Sequence, residues 1–171
     1  MKNNQKIIVI TGAESTGKSA LTGFLAGHYK APAIHEFARS YIEQLGRKYT
    51  YDDVELIARK QVEQLEEIKK INSRIIFVDT WLIITKIWFE EVFGYVPEWI
   101  ETEIRKANID LFLVCDIDLP WVPDPVRENG GEKRIYLQNR YIENIRNYGF
   151  KFHIVKGENH ERFLNALSIL E

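Results

Sequence analysis

Residues 12–19 read Gly12-Ala13-Glu14-Ser15-Thr16-Gly17-Lys18-Ser19, and this G-x-x-x-x-G-K-S octet constrains the fold more than any other stretch of the chain. An apolar run, Ile7-Ile8-Val9-Ile10-Thr11, comes directly before it, and a helical run, Ala20-Leu21-Thr22-Gly23-Phe24-Leu25-Ala26, directly after. Strand, glycine loop and helix is the geometry a phosphate needs. Gly12 and Gly17 permit backbone angles that a Cβ forbids, so successive N–H groups turn inward around an anion. The new helix adds its positive N-terminal end. Lys18 can reach the β- and γ-phosphates of ATP, and Ser19 can ligate Mg²⁺. The expected nucleotide contacts run over Gly12, Ala13, Glu14, Ser15, Thr16, Gly17, Lys18, Ser19 and Ala20, with the cradle amides spanning Ala13 to Ser19. Glu14 would not touch phosphate, because like charges repel; it is expected to face an acceptor substrate.

The rest of the chain alternates strand and helix signals. Ala33-Ile34-His35 reads as a short second strand. From Tyr51 to Ile71 the apolar residues Val54, Ile57, Ala58, Val62, Leu65 and Ile68 form one helical stripe, with Asp52 as a candidate cap. Ile75-Ile76-Phe77-Val78 is a continuous apolar run typical of a strand covered on both faces, and it ends in Asp79. Helical segments follow at about 80–92 and 98–107. Asp110 to Cys115 reads as another buried strand, 120–134 as a loop, 134–148 as a helix, 152–155 as the last strand and 159–170 as the last helix. Five short apolar strands separated by helices predict a parallel sheet covered on both sides in one domain of 171 residues.

Composition excludes several classes of function. A net charge of −2 offers no bulk attraction to nucleic acid or to an anionic membrane. No apolar stretch is long enough to span a bilayer, and the polar Met1–Lys6 segment is no signal peptide. The single cysteine, Cys115, sits in an apolar run and is expected to be a buried small side chain. The four histidines show no metal-ligand spacing. These features suit the cytoplasm. The oligomeric state is left open, a homo-oligomer included.

Ligands on such sheets bind beyond the carboxyl ends of the strands, so the polar residues there are the candidates. Asp79 closes an hhhhD run; its carboxylate can hold the Mg²⁺ shell beside Ser19, or cap the helix from Thr80. Glu36, with Arg39 and Tyr41 after it, follows the second strand. Its carboxylate could accept a proton from a substrate hydroxyl, hydrogen-bond a sugar, or start a helix. Arg127 and Arg134 sit in or beside the 120–134 loop, and a guanidinium on a lid can stabilise charge on a transferring phosphoryl group. Arg140 is a further candidate on the next helix. A lid also excludes water, which competes with the acceptor. Trp81 and Trp121 could form an aromatic wall against a planar, even cationic, base, with Trp88 on the same helical face as Trp81. Trp99 reads as core.

A phosphate loop alone does not separate a kinase from other nucleoside triphosphatases. The guanine-reading N-K-x-D motif is missing, whereas an acceptor pocket and an arginine lid both have candidates here. Kinase chemistry on a small-molecule nucleoside is the reading; a P-loop ATPase or a regulatory nucleotide-binding module is the alternative.

The set G-A-E-S-T-G-K-S, Glu36-Phe37-Ala38-Arg39-Ser40-Tyr41, Val78-Asp79-Thr80 and Asp116-Ile117-Asp118-Leu119-Pro120-Trp121-Val122-Pro123-Asp124-Pro125-Val126-Arg127 resembles the ribosylnicotinamide kinase domain of the NadR family, from Ile7 to about Leu167. The resemblance implies ATP-dependent phosphorylation of the ribose 5′-hydroxyl of nicotinamide riboside, giving nicotinamide mononucleotide in NAD salvage. Lys18 and Ser19 would serve ATP and Mg²⁺, Asp79 or Glu36 would meet the ribose hydroxyl, and Arg127 and Arg134 would close over the phosphates. Thr80, Trp81, Trp88 and Trp121 complete the expected substrate surface with Glu36, Arg39, Tyr41 and Asp79. NadR-type proteins usually carry an adenylyltransferase domain, and some a DNA-binding domain, ahead of this one. Here the phosphate loop begins at residue 12, so neither activity is carried over. The expected fold is a three-layer α/β sandwich of the P-loop NTPase type, one domain over 1–171. Its five-stranded parallel sheet takes the kinase-like order 2-3-1-4-5, with an arginine-bearing lid at about 120–134.

Overall fold

Three apolar runs form the centre of the sheet. In the computed structural model, which describes residues 5–171, β1 (Lys6–Thr11) lies between β3 (Ile75–Asp79) and β4 (Leu111–Cys115), all parallel. The polar Met1–Asn4 segment lies outside the described residues. The short β2 (Ala33–Ile34) forms one edge and β5 (Phe152–Val155) the other, so the order is β2-β3-β1-β4-β5, as the family resemblance implies. Side chains of the central strands are covered on both faces; at the β5 edge His153 and Ile154 are exposed.

Helices α1 (Lys18–Tyr29) and α7 (Asn159–Leu170) cover one face, where Leu21, Leu25, Ile8, Ile10, Phe77 and Leu113 pack. The other face carries α3 (Tyr51–Ile68), α4 (Leu82–Phe93), α5 (Glu98–Lys106) and α6 (Gly131–Asn147). Each large apolar side chain fully buried there contributes about 1.5–3 kcal/mol relative to exposure. Cys115 is buried within β4, and burial pushes its thiol up from the ordinary value, as suits a packing residue.

Four local expectations change. The cap of α3 is Thr50 rather than Asp52, and the Asp53 carboxylate accepts from the Thr50 N–H (2.7 Å) and hydroxyl (2.9 Å). A separate short helix, α2 (Phe37–Gln44), follows Glu36. Thr80 takes a left-handed φ of 63°, so α4 starts at Leu82 and Asp79 is not its cap. Helix α6 starts at Gly131, ahead of the expected start at about 134, which shortens the expected loop.

Candidate functional site

Parallel strands deliver their carboxyl ends to one edge, and the site grows there. β1 ends at Thr11 and the chain turns through Gly12 at φ 135°. A Cβ at Gly12 would stand 2.7 Å from the Cys115 carbonyl oxygen, so the close approach of the loop to β4 requires glycine. Gly17 (φ 76°) and Ser15 (φ 59°) complete the curl, and α1 starts at Lys18.

Beside this loop stands Asp79, the last residue of β3, paired in register with Ile10. Its carboxylate accepts from the Ser19 hydroxyl at 2.5 Å and from the Thr80 hydroxyl at 3.2 Å. Two hard oxygen donors, a serine hydroxyl and a buried carboxylate, thus meet at the mouth of the phosphate loop. That donor set fits Mg²⁺. Among the described residues no cluster of three or more His, Cys, Asp or Glu side chains suggests any other metal. The Lys18 ammonium folds back to the Ala13 carbonyl oxygen at 2.9 Å.

Glu36 occupies the cap position of α2 without bonding its backbone. It feels the charges of Lys18, Asp79, Arg39 and Glu14, so the fold brings it to the same edge. Burial, the largest influence, pushes its carboxyl above the usual glutamate value; Asp79 and Glu14 push the same way, and Lys18 and Arg39 oppose them. Glu36 also lines an open cleft of about 530 Å³ on the outer side of β2, with Ile34, Phe37, Gln64 and Ile68. No phosphate-loop residue borders that cleft.

The expected lid, the segment from Pro120 to Gly130, packs against the phosphate loop, and both expected lid arginines are engaged within the protein. Arg134 is buried and donates to the carbonyl oxygens of Glu14 (2.9 Å), Ser15 (2.9 Å) and Leu119 (2.8 Å). It braces the phosphate loop from behind instead of reaching over it. Arg127 is held within the lid by the Asp124 carboxylate (3.1 Å) and the Val122 carbonyl (2.5 Å). Asp124 also accepts from Arg39 of α2 at 2.8 Å, and Arg39 lowers its pKa. Arg140 bonds Glu90 and Glu91 of α4 and takes no part in the site. Glu14, expected to face an acceptor, is turned to lid donors at Trp121, Glu128 and Asn129.

Several expected substrate residues are engaged elsewhere. Trp81 is 3% exposed and packs in the core beside α3 and α5, so it forms no wall of the site. The Tyr41 hydroxyl donates to Asp53 at 2.7 Å, which ties α2 to α3. Thr80 is buried; its N–H donates to the Ile10 carbonyl at 2.9 Å, and its hydroxyl steadies Asp79. The Ala13 N–H donates to the Gln138 side chain at 2.8 Å, so that amide is not part of the cradle. Trp88 packs edge-on against Tyr49 at 4.9 Å, and the Tyr49 hydroxyl donates to Glu128 of the lid. Trp121 lies flat against Gly130, where a Cβ would be 3.2 Å from the ring. Trp99 packs on the core with Arg59 over its ring.

Two buried polar residues escaped the sequence reading. Gln138 bridges the Ala13 N–H and the Cys115 carbonyl, locking the loop to β4. Arg162 of α7 donates to the carbonyls of Thr16 and Gly157 and to the Asp118 carboxylate. Both lie beside apolar residues on the buried faces of their helices, with Leu137, Tyr141 and Ile145 for the first and Ala166 for the second. A polar residue inside an apolar stripe was the available signal.

A glycine loop between the central strand and its helix, with a carboxylate ending the adjacent strand, defines a P-loop nucleotide-binding domain. A family model described as an AAA domain matches residues 7–162, and the chain belongs to that family. The chain is 25% identical to the trifunctional NAD biosynthesis/regulator protein NadR of Salmonella typhimurium, over 97% of its own length and 42% of the relative's. It therefore spans about two fifths of that relative. Crystal structures of NadR in complex with NR, and with NAD and AMP-PNP, match with TM-scores of 0.78 and 0.79 at 24% identity, over 97% of this chain and 48% of those chains. Thymidylate kinase from Ehrlichia chaffeensis matches with a TM-score of 0.70 at 12% identity, over 98% of this chain and 99% of that one. The fold is that of P-loop kinases acting on nucleosides and nucleotides. Among the described residues, no helix is long and apolar enough to cross a membrane.

Proposed function

We propose that this domain transfers the γ-phosphoryl group of ATP to the 5′-hydroxyl of a small nucleoside, with nicotinamide riboside as the acceptor. The observation that carries the reading is the meeting of Ser19, Asp79, Lys18 and Glu36 at one sheet edge. Similarity to NadR, solved with NR and with AMP-PNP, supports both the acceptor and the donor.

The amides from Glu14 to Ser19 cradle the donor phosphates, leaving Ala13 aside. Lys18 leaves the Ala13 carbonyl and turns to the β- and γ-phosphate oxygens. Ser19 and Asp79 would hold Mg²⁺, which when bound neutralises charge on the phosphate oxygens. Glu36 takes the proton from the ribose 5′-hydroxyl, and burial, which raises its pKa, makes its carboxylate a stronger base than that of an exposed glutamate. The oxygen attacks the γ-phosphorus, the bond to the β–γ bridging oxygen breaks, and ADP leaves with that electron pair. Trp88 and Trp121, rather than Trp81, are the aromatic surfaces for a cationic pyridinium ring.

The test is a panel of nucleosides incubated with ATP and Mg²⁺, read by product mass. Phosphorylation of nicotinamide riboside is the expected result. Transfer to another nucleoside would replace the acceptor. ATP turnover that no nucleoside increases would favour a plain ATPase.

A further inference from the structure

The second variable position of the phosphate loop is filled by an acid whose side chain leaves the phosphate region entirely. Both oxygens of Glu14 are saturated by the lid. One accepts from the Glu128 N–H (3.2 Å) and from Asn129 Nδ2 (2.9 Å). The other accepts from the Asn129 N–H (3.0 Å) and from Trp121 Nε1 (3.3 Å). Ser15 adds to the same seam: its hydroxyl donates to the Pro120 carbonyl and accepts from the Val122 N–H. Arg134 closes the seam from below through the carbonyls of Glu14, Ser15 and Leu119.

Four donors on one side chain demand a group that only accepts. An ionised carboxylate meets that demand, with two oxygens and lone pairs to spare. Glutamine would set an NH₂ against two donors. Aspartate is one methylene short of the lid. The contacts also lie at both ends of the lid, at Trp121 and at 128–129, so they fix its position over the phosphate loop as well as its attachment. From there the lid reaches α2 through the Arg39–Asp124 pair. Donor loop, lid and acceptor-side helix thus form one connected unit.

We propose that Glu14 is the lid-positioning residue of this domain, holding residues 121–129 over the phosphate loop so that the γ-phosphoryl group meets the acceptor hydroxyl in preference to water. The clamp is geometric; its catalytic consequence rests on the kinase reading above. A lid in register with the loop excludes water from the reacting phosphorus, and a lid that swings free admits it. In this role the Glu14 side chain touches neither the nucleotide nor the acceptor, and it acts through the lid.

Two readouts on the full chain, wild type against Glu14→Gln, test the proposal. The first is amide hydrogen exchange of the protein alone. Protection at Glu128 and Asn129 should fall by on the order of tenfold or more, while amides of β1 and β3 stay unchanged. The second is the ratio of ADP formed to nucleoside phosphorylated, with ATP, Mg²⁺ and nicotinamide riboside. It should stay near unity for wild type and rise in Glu14→Gln, with kcat for transfer falling more than KM for ATP rises. Glu14→Asp should restore neither, because its charge is correct and its reach is not. Asn129→Ala, which removes a donor and leaves the loop intact, should shift both readouts in the same direction. Unchanged exchange at 128–129 in both Glu14→Gln and Asn129→Ala would overturn the clamp. Altered exchange with an unchanged ratio would overturn its role in partitioning. If wild type phosphorylates no nucleoside, the kinase reading falls, and the exchange readout alone decides the clamp.

Discussion

Lys18 and Glu36 illustrate how one residue's chemistry is set by its surroundings. Lys18 rests on a carbonyl of its own loop and needs only to swing to meet a phosphate. Lys18→Ala should lower kcat by roughly a hundredfold or more with melting temperature little changed, which steady-state kinetics and calorimetry would show together. Glu36 holds its proton more tightly in the folded protein than an exposed glutamate does, because burial disfavours the charge. Its contribution to stability is therefore full below the unfolded-state pKa and lost as pH rises through the folded-state value. Two outcomes follow. The acid limb of kcat/KM should lie above the ordinary glutamate range, and Glu36→Gln should abolish that limb along with most of the rate. At neutral pH the same substitution should raise the melting temperature, since a strained charge is gone. A variant that keeps the limb would move the base elsewhere. Glu36 was recognisable in the sequence by its place after a short strand. The burial that tunes it depends on α2 and on charges far away in the chain, and no local pattern reports that.

At the scale of elements, the backbone course of the phosphate loop was legible, and the partners of its Ala13 amide, of its Glu14 side chain and of the lid were not. Glycine spacing dictates the loop because backbone angles are local, and Gly12 shows how tightly. Gly12→Ala forces a Cβ to within 2.7 Å of the Cys115 oxygen and strains a φ of 135°. It should cost about 1–3 kcal/mol in denaturant unfolding and weaken nucleotide binding as well. The lid arginines were assigned by their place in the loop after β4 and by the family resemblance, and neither says which partner wins. Arg127 and Arg134 found acceptors within the protein, at Asp124 and at loop carbonyls, because a docked lid supplies them. Trp81 failed for a similar reason: the left-handed turn at Thr80 shifts the start of α4, and the indole goes into the core.

At the scale of the whole molecule, alternating apolar runs and helices were enough to set a parallel sheet with two covered faces, while its strand order came from the family resemblance. The polar pins that lock the site to the sheet were not readable, because their bonds to the phosphate loop cross more than a hundred positions, as Gln138 joins Ala13 and Arg162 joins Thr16. Arg162 is 2% exposed and holds the phosphate loop, the segment after β4 and the segment after β5 together. Arg162→Met should destabilise by about 3 kcal/mol, because the carbonyls it satisfies stay buried without a partner. It should also raise KM for ATP more than it lowers kcat, since it positions the donor loop and touches no reacting atom. Equal effects on both would mean the loop keeps its place without it.

The central claim is that one phosphoryl group passes directly from the nucleotide to a nucleoside alcohol. Supplying ATP labelled at the γ-phosphorus, with Mg²⁺ and nicotinamide riboside, follows that group to its destination. The account predicts label on the 5′-oxygen of the riboside, appearing one for one with ADP. Label recovered only as inorganic phosphate, at a rate the riboside does not change, would contradict it.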